Sequence, residues 1–263
     1  MKQQIRPAAV AGTFYPADAH ELRDMVQSYL SQSKPQSGKA PKAIIAPHAG
    51  YIYSGPVAAS AYINLKSVQG KISKVVLLGP SHRVPLRGIA TSTATHFSTP
   101  LGLIPVDQES IPRLNELTVV RSNDEAHALE HSLEVHLPFL QQVLGEFTLV
   151  PLLVGQVSPE DVDRALSLLW NGPETLIVIS SDLSHYHDYE TAKQLDRQTS
   201  QAIESLDYKN IHYENACGRD PLNGLLYLAQ RFGLHATNID LRNSGDTAGT
   251  HDKVVGYGAY LFQ

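Results

Sequence analysis

Cysteine is almost absent. Cys217 is the only one in 263 residues, which excludes an internal disulfide framework and a cysteine-rich zinc site and fits a reducing compartment. Long hydrophobic runs are also missing: none approaches the roughly 20 residues a spanning helix needs. The apolar stretch that follows Lys2 and Arg6 is interrupted by Pro7 and Gly12 and is too short for a secretory signal. A soluble, unanchored cytoplasmic protein is the expectation. Basic clusters are lacking too. With 21 Lys and Arg against 26 Asp and Glu, the formal net charge is −5, so no basic stripe is available to displace counterions from nucleic-acid phosphates. Internal repeats and low-complexity tracts are absent as well. What the chain does have is 42% hydrophobic residues, enough to bury one large core, and residues 1–263 are read as a single domain.

Three short apolar runs each end in a polar turn that carries histidine: Ala43-Ile44-Ile45-Ala46-Pro47-His48, Lys74-Val75-Val76-Leu77-Leu78-Gly79-Pro80-Ser81-His82, and Thr175-Leu176-Ile177-Val178-Ile179-Ser180-Ser181-Asp182-Leu183-Ser184-His185. Continuous apolar runs of this length read as buried parallel strands. Residues 147–154 and 253–262 read the same way. Helical spacing covers residues 22–30, 56–65, 126–144, 159–169, 189–206 and 221–232, and residues 31–42 read as a loop. Strands alternating with helices predict an α/β fold, a three-layer αβα arrangement around a largely parallel central sheet. Such sheets bind ligands at the carboxyl ends of their strands. The three histidine-bearing tips are therefore candidates to share one site.

Each motif also has a plainer reading. A histidine after a strand is often just a hydrogen-bonded loop residue, but its recurrence at several strand ends favours a metal ligand or acid/base group. In His127-Ala128-Leu129-Glu130-His131-Ser132-Leu133-Glu134-Val135-His136, a helix would place His127 with His131 and Glu130 with Glu134 on shared faces. The segment is not His-Glu-x-x-His, so the zinc-protease motif is missing, and a solvated charged face competes with a catalytic role for His131 or His136. The serines near Asp182 and His185 raise a Ser/His/Asp hydrolase, yet none lies in Gly-x-Ser-x-Gly. A general base is the better role for His185. The polar segment Asn243-Ser244-Gly245-Asp246-Thr247-Ala248-Gly249 reads on composition as a turn before the last strand.

Taken in order, Arg6-Pro7-Ala8 with Ala11-Gly12-Thr13-Phe14-Tyr15-Pro16, Pro47-His48-Ala49-Gly50-Tyr51 with Ser54-Gly55, Gly79-Pro80-Ser81-His82, Glu130 to Pro138, and Ser180-Ser181-Asp182 with His185 resemble the Memo family. Its microbial members are called the B component of the AmmeMemoRadiSam system. The resemblance runs from Arg6 to Leu261 and implies the fold of class III, LigB-type extradiol dioxygenases. It implies His48 and His82 as metal ligands, with a third ligand in the loop ahead of the final strand. Animal members have a cysteine there; counting back from the strand places Asp246 at that position, with Asp252 the next candidate. Two histidines and a carboxylate would suit Fe(II), with Zn(II) or copper as competitors. His185 and His131 or His136 would then be acid/base groups, with Asp182 close by.

The function so implied is a metal-dependent, non-haem iron oxidoreductase of unknown substrate. A non-catalytic protein binding a peptide or other ligand in the same pocket is the alternative, and a metal-dependent hydrolase the third. Expected partners are a small molecule or peptide and the other components of that system.

Overall fold

The computed structural model describes residues 3–36, 39–170 and 172–263. Lys2 and part of the expected loop at residues 31–42 lie outside the described residues. In chain order the strands are β1 (Ile5–Arg6), β2 (Ala43–Ala46), β3 (Lys74–Pro80), β4 (Ile89–Thr91), β5 (His96–Thr99), β6 (Gly102–Pro105), β7 (Val120–Ser122), β8 (Thr148–Val154), β9 (Thr175–Ser180), β10 (His185–His187), β11 (Ala236–Asn243) and β12 (Val254–Phe262). The α-helices are α1 (Ala19–Gln32), α2 (Tyr51–Tyr62), α3 (Ser110–Leu114), α4 (Asp124–Ala128), α5 (Leu137–Leu144), α6 (Pro159–Leu169), α7 (Tyr189–Glu204) and α8 (Arg219–Phe232).

Nine strands form the main sheet in the order β10-β12-β2-β9-β3-β8-β4-β7, with β11 on β12. Its centre, β2-β9-β3-β8, is parallel throughout. These are the strands whose residues are nearly all buried, as their unbroken apolar runs require. The margins differ: β12 runs antiparallel to β2 and to β11, and β4 antiparallel to β8. A buried strand reads as the same apolar run in either direction, so the last strand's orientation was not visible in its composition. A separate sheet of β1, β5 and β6 had no counterpart among the expected elements.

The helices pack in two groups. On one side α1, α2 and α5 contact one another, and on the other α6 packs on α8 while α7 lies against β11 and β12. Together they give the three-layer α/β arrangement. Local chemistry sets their ends. Asp18 accepts hydrogen bonds from the backbone N–H of His20 and Glu21 at the start of α1, Ser158 precedes Pro159 and caps α6, and Gly233 takes the left-handed conformation that closes α8. Leu222, Leu225, Leu226 and Ala229 face inward along α8. Each buried leucine there contributes about 1.5–3 kcal/mol. No helix among the described residues is long and apolar enough to cross a membrane.

The long helix expected over residues 126–144 is broken. α4 stops at Ala128, and a short 3-10 turn at Glu134–His136 leads into α5. The cause is Glu130, whose Oε1 accepts from the backbone N–H of His131 and Ser132 and so offers the chain an alternative to the helical bond.

Candidate functional site

Strand order explains the site. β9 lies between β2 and β3, all three parallel, with Ala46 level with Ser180 and Leu78 level with Ile179. The residues that follow them, His48, His82 and Asp182, therefore emerge on one edge of the sheet. They line a cleft of about 630 Å³ together with Phe14, His131, His185, Tyr186 and Cys217, among others. Close approach is built in. A Cβ on Gly79 would lie 2.9 Å from Ser132 Oγ, and one on Gly218 would lie 2.4 Å from Ser180 O. Glycine at these two places lets the 132 turn and the Cys217 turn reach the strand ends.

His48, His82 and His131 each offer a ring nitrogen, and these donor atoms lie within 4.8 Å of one another. Their rings stack or meet edge-on at 4.7–5.5 Å. The set could hold a metal ion. Burial, reinforced by His82, His131 and His136, keeps the pKa of His48 well below the ordinary imidazole value, so it is a neutral donor at neutral pH. Its Nδ1 is 2.6 Å from Ser180 Oγ, and that hydroxyl donates to Ser132 O at 2.6 Å. Glu130, 2% exposed, accepts from His82 N at 2.5 Å and His82 Nδ1 at 3.0 Å. Its Oε1 is also 3.2 Å from His131 Nδ1, though not in hydrogen-bonding alignment. Burial alone would raise the Glu130 pKa, but the nearby His131 imidazole, the bond and charge from His82 and the Ser132 N–H outweigh it and hold the carboxyl far below the usual range.

In the sequence Cys217 stands out only for what a single cysteine excludes. Its Sγ is 3.3 Å from His48 Nε2. Burial, and then Asp182, push its thiol up, so a metal would have to displace the proton to use the sulfur. The available signal was its place just ahead of a helix, in Cys217-Gly218-Arg219.

Asp182 accepts from His48 N at 2.7 Å, and burial raises its carboxyl despite the opposing influence of His185 and that bond. His185 lines the cleft beside it. Between His185 and His187, Tyr186 takes a left-handed backbone with φ 63°, the strand shifts register against β12, and the tyrosine ring stands 72% exposed. His136 is set back. It does not line the cleft; its Nδ1 meets Tyr62 Oη at 2.8 Å while its Nε2 is buried without a partner, and burial followed by His131 lowers its pKa to about 3.

Asp246 corrects an expectation. Its Oδ1 accepts from Tyr189 Oη at 2.6 Å and its Oδ2 from Asn243 N at 2.8 Å. It lines a separate small cavity beside α7 rather than the cleft. Counting back from the last strand assumed a loop that reaches the strand tips, whereas Asn243 and Asp246 cap each other's backbone and fold the loop onto α7. The third imidazole, His131, stands where a carboxylate was expected.

Residues 6–261 match the family model described as Memo-like protein. The chain belongs to the Memo family. It is 35% identical to a MEMO1 family protein of Ignicoccus hospitalis, with 98% of each chain covered. It is 37% identical to one of Sulfolobus acidocaldarius (96% and 97% covered) and 36% identical to one of Aquifex aeolicus (98% and 99%). Among solved structures, an uncharacterised protein from Escherichia coli K12 is similar in fold, with a TM-score of 0.55 at 15% identity over 84% of this chain and 99% of that one. Of the motifs that resemble the Memo family, His48, His82, His131, Asp182 and His185 line the cleft together with Phe14 of the opening segment, whereas the stretch around Arg6 lies apart from it. There Arg6 pairs with Glu134 and donates to the carbonyls of His127 and Glu130, and Glu134 also accepts from Ala9 N, Val10 N and Tyr15 Oη. That arm sets Phe14 against His131, with ring centroids 4.7 Å apart.

Proposed function

We propose that this Memo-family protein is a cytoplasmic, metal-dependent oxidoreductase working on a small molecule or peptide, with non-haem Fe(II) as its metal. The observation that carries the reading is the convergence of the His48, His82 and His131 donor atoms within 4.8 Å of one another at the strand ends. These imidazoles would hold the ion, with the Cys217 sulfur 3.3 Å from His48 Nε2 at the edge of the group. When bound, the ion supplies Lewis-acid polarisation of a substrate oxygen and a redox couple. Imidazole suits iron, zinc and copper alike, and a third imidazole in place of the expected carboxylate, with a thiol nearby, strengthens Zn(II) and Cu(I) as competitors.

The chain's own groups supply the proton chemistry. His185, on the cleft wall, takes a proton from the bound substrate, and the buried Asp182 orients the His48 backbone while retaining its own proton to higher pH than a surface aspartate would. His131 faces the same cleft and would serve as a ligand, while His136 behind it braces Tyr62.

A binding protein without turnover is the second reading, favoured by the exposed tyrosines Tyr186 and Tyr213 on the cleft wall. Other components of the AmmeMemoRadiSam system are proposed as partners in either case. Anaerobic purification with elemental analysis, followed by oxygen-uptake measurements on the iron form, separates the readings. One metal per chain and substrate-dependent oxygen uptake are expected. A metal-free protein that still binds ligand would support the second reading, and a loaded protein that never consumes oxygen would leave a metal-dependent hydrolase.

A further inference from the structure

Two of the three metal-facing histidines, His48 and His82, have their tautomers set by hydrogen bonds on the side away from the cleft. Ser180 has one hydroxyl proton. It lies on the 2.6 Å bond to Ser132 O, because a carbonyl can only accept. At the 2.6 Å contact with His48 Nδ1 the Ser180 oxygen must therefore accept, so Nδ1 carries the imidazole proton and Nε2 carries the lone pair. His82 follows by a second route. Glu130 receives three backbone N–H groups, from His82, His131 and Ser132, and all of them can only donate. A carboxylate held this way is an acceptor, so the 3.0 Å contact with His82 Nδ1 also requires a proton on Nδ1. Two acceptors on different elements, Ser180 at the end of β9 and Glu130 in the turn after α4, thus impose the same tautomer on histidines from two different strand ends.

We propose that Ser180 and Glu130 are positioning residues that lock His48 and His82 as Nδ1–H tautomers, so that both Nε2 lone pairs are presented before any metal arrives. This rests on the metal-site reading for its purpose but not for its geometry. Cys217 Sγ lies 3.3 Å from His48 Nε2 and 3.7 Å from Asp182 O, two acceptors for its one thiol proton. Holding a ligand's second nitrogen in this way fixes ring orientation and raises its basicity, and losing such a partner costs about 10–100-fold in metal affinity.

The test begins with metal-free protein. Imidazole nitrogen shifts in ¹⁵N-histidine-labelled protein at neutral pH, assigned with His48→Gln and His82→Gln, should show both rings with Nδ1 protonated. An Nε2–H tautomer at either ring overturns the proposal. Ser180→Ala leaves His48 Nδ1 without an acceptor, and Glu130→Gln replaces a charged acceptor with a neutral one that faces only one side. Each should release the tautomer of its own histidine and weaken Zn(II) binding, measured by chelator competition, about 10–100-fold. If Glu130→Gln fails to fold, Ser180→Ala gives the same readout at His48. Unchanged tautomers and affinity in folded variants would refute the role. Locked tautomers in a protein that binds no metal would uphold the lock and sink the metal reading instead.

Discussion

Glu130 and Glu134 stand four residues apart, and both are buried. They do opposite work. Glu130 turns its oxygens toward the cleft, to His82, His131 and the turn between them. Glu134 turns toward the N-terminal arm, where it pairs with Arg6 and collects Ala9 N, Val10 N and Tyr15 Oη. A buried carboxylate must find donors, and which donors it finds decides whether it serves the site or the fold. On one continuous helix the two would have shared a face. The break at residues 129–133 lets them point to different neighbours.

That contrast can be broken most directly at Glu134. Glu134→Ala leaves the Arg6 guanidinium buried and unpaired, and should cost about 3–5 kcal/mol in urea unfolding. A loss below about 1 kcal/mol would show that the arm is not held this way.

His127 belongs to the arm's side, since its carbonyl accepts from Arg6 Nε and its Nε2 meets Ala90 O. Burial lowers its pKa from 6.5 to about 4. In the unfolded chain it picks up a proton as pH falls below about 6.5, whereas in the folded chain it resists until about 4. Its contribution is therefore full above pH 6.5 and lost as pH drops through the folded value. The window accounts for about 3 kcal/mol by linkage. His127→Gln should flatten the stability profile between those limits, and an unaltered slope would assign the pH dependence to other groups.

On the site's side, His82→Ala should lower Zn(II) affinity at least about 100-fold, or about 2.7 kcal/mol. Unfolding of the metal-free protein should move far less, because His82 is partly exposed. Equal losses of stability and affinity would mean the site and the fold are not separate, and the contrast with Glu134 would fail. Asp246→Ala should have the smallest effect. Removing a capping side chain costs about 1 kcal/mol, and metal affinity should stay within error because the carboxylate is committed to Tyr189 and Asn243. A clear drop in affinity would return Asp246 to the ligand set.

These residues also show what the sequence could and could not convey. His48 and His82 were legible because an apolar run that stops at a histidine is a local pattern, and parallel order then brings such ends together. His131 was visible as a candidate but with another role. Its position depends on Glu130 interrupting a helix that the spacing favoured, a competition between side chain and backbone that periodicity does not register. Asp246 was misplaced because a loop's length does not say which way it folds. Cys217 stands out in the sequence only as the single cysteine, because a place ahead of a helix does not by itself distinguish a thiol facing a histidine from an ordinary buried cysteine.

The order of strands in the sheet carries a consequence for how the protein is made. Cys217 and His48 meet across 169 positions of sequence, and β2 is enclosed by β9 and by β12, the last strand of the chain. A nascent chain that has exposed His48 and His82 must wait for Glu130 to reach His82 and for Ser180 and Asp182 to reach His48, and pairing over such separations is slow. An ion held by these residues would therefore not serve as a folding nucleus, as it does in small zinc domains where ligands are close in sequence. Loading of such a site would follow assembly, and the pool of metal accessible to the finished protein, rather than the one met during synthesis, would decide which ion it carries.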